Sequence, residues 1–135
     1  MNYEDCIHKG MIKKSPSAPE RVKQSLALGD KFLKSAREIM EISETESSEL
    51  IAYTALFHYA RALLFHKGYL ERSHICLFIA LQKLYPEQVS LFQRADKIRI
   101  ERHNLQYSGL ATDAESAGFV LEFVGEFGER AKQWL

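Results

Sequence analysis

Between Leu50 and Phe65 almost every residue is apolar or aromatic. A stretch this long without a polar side cannot lie on a surface. If helical, it is hydrophobic nearly all round and must be covered by several neighbours. Ser43-Glu44-Thr45-Glu46 carries the serine-to-glutamate spacing of a capping box, and Gly68 suits the stop. The spacing predicts one central helix from about Thr45 to Lys67, and the rest of the chain has to supply its cover.

The cover is legible as helix faces. Pro19 suits a first turn, and Val22, Leu26, Gly29, Leu33, Ala36 and Met40 follow as the apolar line of a helix running to about Ile42. Gly29 and Ala36 on that line let another helix approach closely. A short helix begins at Ser73 or His74 and runs through Leu84 until Tyr85-Pro86 interrupts it. A further helix spans about Pro86 to Gln106 and ends before Ser108-Gly109. Thr112-Asp113-Ala114-Glu115 reads as a second capping box, followed by Val120, Phe123, Val124, Phe127, Ala131 and Trp134 on one face. No segment shows the period-two alternation of a strand. The expected fold is all-α, an antiparallel up-and-down bundle of four to five helices. Residues 1–18 read as a leader packed on that bundle, ending in the turn-like Ser15-Pro16-Ser17-Ala18-Pro19. All 135 residues fit a single domain.

Charge and cysteine usage narrow the function. The 18 basic and 18 acidic side chains cancel, so attraction to nucleic acid has to come from a local patch. Cys6 and Cys76 do not make a disulfide framework, and no zinc-type Cys/His spacing occurs. Two unlinked thiols suit a reducing cytosol. Met1 to Lys14 has no continuous hydrophobic region and is no signal peptide. No run of about 18 apolar residues is available to span a membrane. A cytoplasmic protein with no metal, no cofactor and no membrane partner is expected.

One charge sits out of pattern. Leu91, Ala95, Ile98, Arg102 and Leu105 fall on one helix face. A guanidinium on a core-facing stripe costs several kcal/mol unless a partner or a wet cleft receives it. Arg102 is therefore either a phosphate clamp or one half of a buried ion pair. Its neighbours keep both readings open. Arg94, Lys97, Arg99 and Arg102 form a basic run that tracks a phosphate backbone or is simply a solvated face. His103 shares a face with Arg99 and with Tyr107. It is either a titratable base or a helix-end histidine favoured by the dipole. Tyr107 either positions a phosphate or ties down the helix end. Thr54, His58 and Arg61 make a narrow polar line on the central helix that faces a cleft or water. His58 and His66 lack a third ligand for a metal. His74, after Ser73, reads as packing or capping. Phe119, Phe123, Phe127 and Trp134 form an aromatic stripe, read as core or dimer seam.

Two stretches resemble a known family. Ala52-Tyr53-Thr54-Ala55-Leu56-Phe57-His58-Tyr59-Ala60-Arg61-Ala62-Leu63-Leu64-Phe65-His66-Lys67-Gly68, with Ser73-His74 after it, is similar to the central-helix signature of HEPN domains. Arg102 through Tyr107 lies where such domains keep an arginine motif, and Lys9 to Lys14 is similar to their leaders. The resemblance implies a compact helical bundle, usually a homodimer. It further implies the small stand-alone prokaryotic branch, which accompanies a minimal nucleotidyltransferase as toxin and antitoxin. Active members are metal-independent ribonucleases whose motif is an arginine, four to six residues, then a histidine, facing its copy across the dimer cleft.

This chain departs from that motif. The position four residues beyond Arg102 leads to Tyr107, no histidine follows His103, and Arg99 and His103 are one residue too close. A related branch has an Asp-Tyr pair near the helix end, where Gln106-Tyr107 stands here. The resemblance therefore implies a nucleotide- or RNA-associated module with a degenerate nuclease motif. Its phosphate-binding candidates are Arg99, Arg102, Gln106, His58 and Arg61. The alternative is an active ribonuclease using Arg102 with His103 or Tyr107 as its catalytic groups.

Overall fold

The computed structural model describes residues 1–109 and 111–135. At its centre lies the apolar helix, Thr45–His66. Ala52, Ala55, Leu56, Ala60, Leu63 and Leu64 on it are wholly buried and cover about half of its circumference, while the part-buried Thr54, Phe57, His58 and Arg61 share the opposite side. In chain order the helices are α1 (Tyr3–His8), α2 (Val22–Glu41), α3 (Thr45–His66), α4 (His74–Leu84), α5 (Val89–Tyr107) and α6 (Ala114–Trp134). Short 3-10 turns, Ala18–Arg21 and Pro86–Gln88, lead into α2 and α5. The fold is an all-α bundle. It has one helix more than the four to five expected, because α1 folds inside the leader.

α2 and α6 cover one side of α3. Their fit depends on glycine. A Cβ on Gly29 of α2 would stand 2.5 Å from the Tyr59 ring, and one on Gly128 of α6 would stand 2.6 Å from its other edge. The ring is thus threaded between two helices that touch it with backbone. Its hydroxyl emerges to donate to Asp30 Oδ1 at 2.6 Å, an oxygen that also accepts from Lys132 Nζ at 2.8 Å. Ala36 allows a similar approach further along α2, where its carbonyl accepts the buried Ser48 hydroxyl at 2.7 Å. α4 and α5 pack together against the other side of α3 through Phe78, Leu81, Phe92 and Ala95.

Four expectations are corrected. Strands do occur: β1 (Ile12–Lys14) pairs antiparallel with β2 (Tyr69–Glu71), Ile12 opposite Glu71. Ser15 N–H to Gly68 C=O and Arg72 N–H to Met11 C=O, both 2.8 Å, extend the clip at its ends. Strands of three residues are too short to display alternation. Second, Ser43 is no cap. It adopts φ 61° at the end of α2, whereas a capping side chain needs an extended backbone to reach the first-turn amides. Third, the cap of α6 is Asp113, whose carboxylate accepts from Ser116 N–H at 2.7 Å. Thr112 instead donates to Glu49 Oε1 at 3.1 Å. Fourth, Cys6 and Cys76 are joined as a disulfide across a sequence separation of 70, with both side chains fully buried. The reading of two unlinked thiols fails, because folding brings α1 back onto the first turn of α4. A linked pair of cysteines no longer points to a reducing compartment.

Among the described residues, no helix is long and apolar enough to cross a membrane.

Candidate functional site

α3, the start of α4 and the last turns of α5 meet around a cavity of about 310 Å³. Leu50, Ile51 and Phe57 give it apolar walls, while Tyr53, Thr54, His74, Arg102 and Gln106 supply its polar groups. The positions follow from local structure. Tyr53 and Phe57 are one turn apart on α3, and Arg102 and Gln106 one turn apart on α5. Ser73 caps α4 by accepting from Cys76 N–H at 3.2 Å, which fixes His74 as the first helical residue.

Arg102 lies at the rim of the buried stripe formed by Leu91, Ala95 and Ile98. It is half-buried, with its guanidinium carbon 4.6 Å from the centre of the Tyr53 ring. Nη1 donates to Gln106 Oε1 at 2.8 Å. Nε is buried and has no hydrogen-bond partner among the described residues. No carboxylate of the described residues pairs with Arg102. A buried donor without a partner is uncommon and calls for a ligand or water.

The Tyr53 hydroxyl and His74 Nδ1 are 2.6 Å apart, and Phe57 stacks on the imidazole with ring centres 4.1 Å apart. Burial pushes the His74 pKa down to about 4, assisted by the positive charges of Arg102, Arg99 and Arg61. His74 is thus neutral at pH 7. Burial also raises the Tyr53 hydroxyl above its usual value, against the hydrogen bond and the charge that the Arg102 guanidinium brings to it, so it keeps its proton. The cavity holds one fixed cation, a neutral imidazole and a phenol beside apolar walls. Such a set suits an anion attached to an apolar or aromatic body.

The other sequence candidates are dispersed. Arg99 donates through Nε to Asp96 at 2.6 Å. His103 and Tyr107 are exposed and lie against each other, ring centres 4.8 Å apart, outside the cavity lining. Arg61 forms an ion pair with Glu71 of β2 and lies between the Phe57 and Phe65 rings. His58 stacks on Phe32 at 5.5 Å, and its Nδ1 is buried without a partner among the described residues. Burial, then Arg61, lowers its pKa. Thr54 reaches the cavity, so the polar line of α3 splits. The basic run of α5 splits too: Arg94 and Lys97 line a groove against α6, with Arg94 over the Phe123 ring at 4.7 Å. Phe119 leaves the aromatic stripe and is 65% exposed. From the sequence His74 reads as packing or capping and Tyr53 has no assigned role; the Ser73-His74 pair beside the central-helix signature is the one available signal.

No curated protein matches the chain. A family model described as HEPN domain matches residues 22–134, which takes in α2 to α6 and every polar group of the cavity. The chain belongs to the HEPN domain family.

Proposed function

We propose that this chain is a nucleotide- or RNA-associated module that receives a phosphate at Arg102 and acts with a minimal nucleotidyltransferase partner, in a toxin–antitoxin or related system, its nuclease motif degenerate. The observation that carries the reading is the Arg102 Nε–H, buried in a cavity beside a neutral histidine and without an acceptor among the described residues. A phosphate oxygen completes that donor, and guanidinium geometry favours such an acceptor. The working form in this reading is a cytoplasmic homodimer, and residues 1–135 fold as one domain. Co-expression with a neighbouring nucleotidyltransferase, followed by pull-down and isothermal titration with 5′-AMP, tests it. Association and binding that Arg102→Ala abolishes are expected. No association at micromolar concentration removes the partner, and 5′-AMP binding indifferent to Arg102 removes the site.

One observation favours a second reading, a metal-independent ribonuclease. His103 and Tyr107 stand exposed beside the Arg102 turn. An imidazole suits proton transfer from a 2′-hydroxyl. RNA incubated with the protein in EDTA decides it. Cleavage that disappears in both Arg102→Ala and His103→Ala supports this reading, and intact RNA removes it.

A further inference from the structure

We propose that His74 is the second anion-binding group of the Arg102 cavity, presenting a neutral Nε2–H to the same phosphate that the guanidinium receives. This rests on the reading of the cavity as a phosphate site and names the group that completes it.

The assignment comes from how the imidazole is held. Its Nδ1 is 2.6 Å from the Tyr53 hydroxyl. One face is covered by Phe57, and the Tyr53 ring lies at 5.8 Å. Arg102 sits over that same Tyr53 ring. A cation beside the phenol favours the arrangement in which the oxygen faces the positive charge and the O–H points away from it. The hydroxyl then donates to Nδ1, and the single proton of a neutral imidazole resides on Nε2. His74 is thereby a donor rather than a base.

The charged and titratable groups facing His74 are Arg102 and Arg99 from α5, and Arg61 and Tyr53 from α3. Burial keeps the imidazole of an empty site uncharged, and the positive charges assist, although Arg99 is paired with Asp96 and Arg61 with Glu71. A bound phosphate dianion reverses the local field and favours its protonation. Occupancy and His74 titration are therefore linked. A histidine that only packs against Phe57 has no such link, because its ring does not meet the ligand.

The test uses nitrogen-15 NMR of the histidine rings in the full-length protein, with 5′-AMP, inorganic phosphate and a short single-stranded RNA as separate probes. The free protein is expected to show a proton on Nε2 and none on Nδ1 of His74 at pH 7. A saturating phosphate probe is expected to raise the His74 titration midpoint by a unit or more. His74→Ala is expected to weaken that probe about tenfold, a typical loss for one hydrogen bond to a charged group. Tyr53→Phe, which frees Nδ1 without removing a ring, is expected to mix the two tautomers and weaken binding less. Binding by 5′-AMP and phosphate but not by RNA assigns a free terminal phosphate; binding by RNA assigns a chain phosphate. A wild-type midpoint unmoved by a probe that Arg102→Gln no longer binds overturns the role of His74 and leaves the phosphate site standing. Probe binding unchanged in Arg102→Gln overturns the site itself. The wild-type measurement needs no variant to fold.

Discussion

At the scale of single residues, Arg102 and His74 set opposite demands on the fold. Arg102 keeps a donor buried without an acceptor among the described residues, so replacing it by an apolar side chain of similar length relieves a penalty. Arg102→Met is expected to leave stability unchanged or raise it by about 1 kcal/mol, while phosphate binding is lost. Urea unfolding and titration of 5′-AMP on one preparation measure both. His74 behaves differently. Its folded pKa of about 4 lies below the ordinary value of 6.5, so the unfolded chain binds the proton first as pH falls. The stability of the neutral ring is fully present above pH 6.5 and is lost between there and pH 4. The stability advantage of wild type over His74→Gln should therefore shrink between pH 7 and pH 4.5 in urea titrations. An advantage that grows on acidification contradicts the depressed pKa. Arg102 was legible because a charge breaks an apolar period. His74 was not, since its meaning depends on α4 beginning beside the end of α5, and no local spacing encodes that meeting.

At the scale of elements, the helices were legible because each displays a face of recurring apolar residues, and the central one was legible because it displays nothing else. Their ends were read less well. A serine followed three residues later by glutamate has the composition of a cap, but backbone conformation decides whether Ser43 can act as one, and φ 61° decides against it. The two strands escaped notice because their pairing is made by backbone across distant parts of the chain, with only Ile12 fully buried. Close helix contact at Gly29 was readable from a small residue on an apolar line. That contact yields a paired prediction. Gly29→Ala and Gly128→Ala drive a methyl against the pinned Tyr59 ring. Each is expected to cost about 1–3 kcal/mol, more than the helix propensity gained. Gly118 lies in α6 with nothing within 4 Å of an added Cβ. Gly118→Ala is therefore expected to stabilise by about 0.5–1 kcal/mol. Chemical denaturation midpoints of the three variants give the comparison, and equal effects at all three positions contradict the packing described.

At the scale of the whole molecule, the leader belongs to the architecture of the site. Cys6, Ile12 and Ala18 are buried to 1% exposure or less, and the disulfide ties α1 to the turn of α4 that carries His74. A link closing a loop of this size is worth about 2–4 kcal/mol, largely through the unfolded chain. Reduction, or Cys76→Ser, is expected to lower the melting temperature by roughly 10 °C or more, measured by circular dichroism with and without dithiothreitol. If the whole chain is one domain, a polypeptide beginning at Val22 loses the β1–β2 clip and the α1 cover of α4, and it should fail to show a cooperative transition. The family match starts at that same residue, whereas the packing continues into the leader.

The clip has a consequence for the order of assembly. During synthesis the first dozen residues emerge early and have nothing to hold. β2 and Cys76 are made much later, and Arg102 later still. The pocket therefore closes from both directions of the chain at once, when a late-born helix turn is caught by an early-born anchor. A ribosome-bound fragment released before α4 would carry a central helix with one bare flank, the kind of surface that chaperones seize.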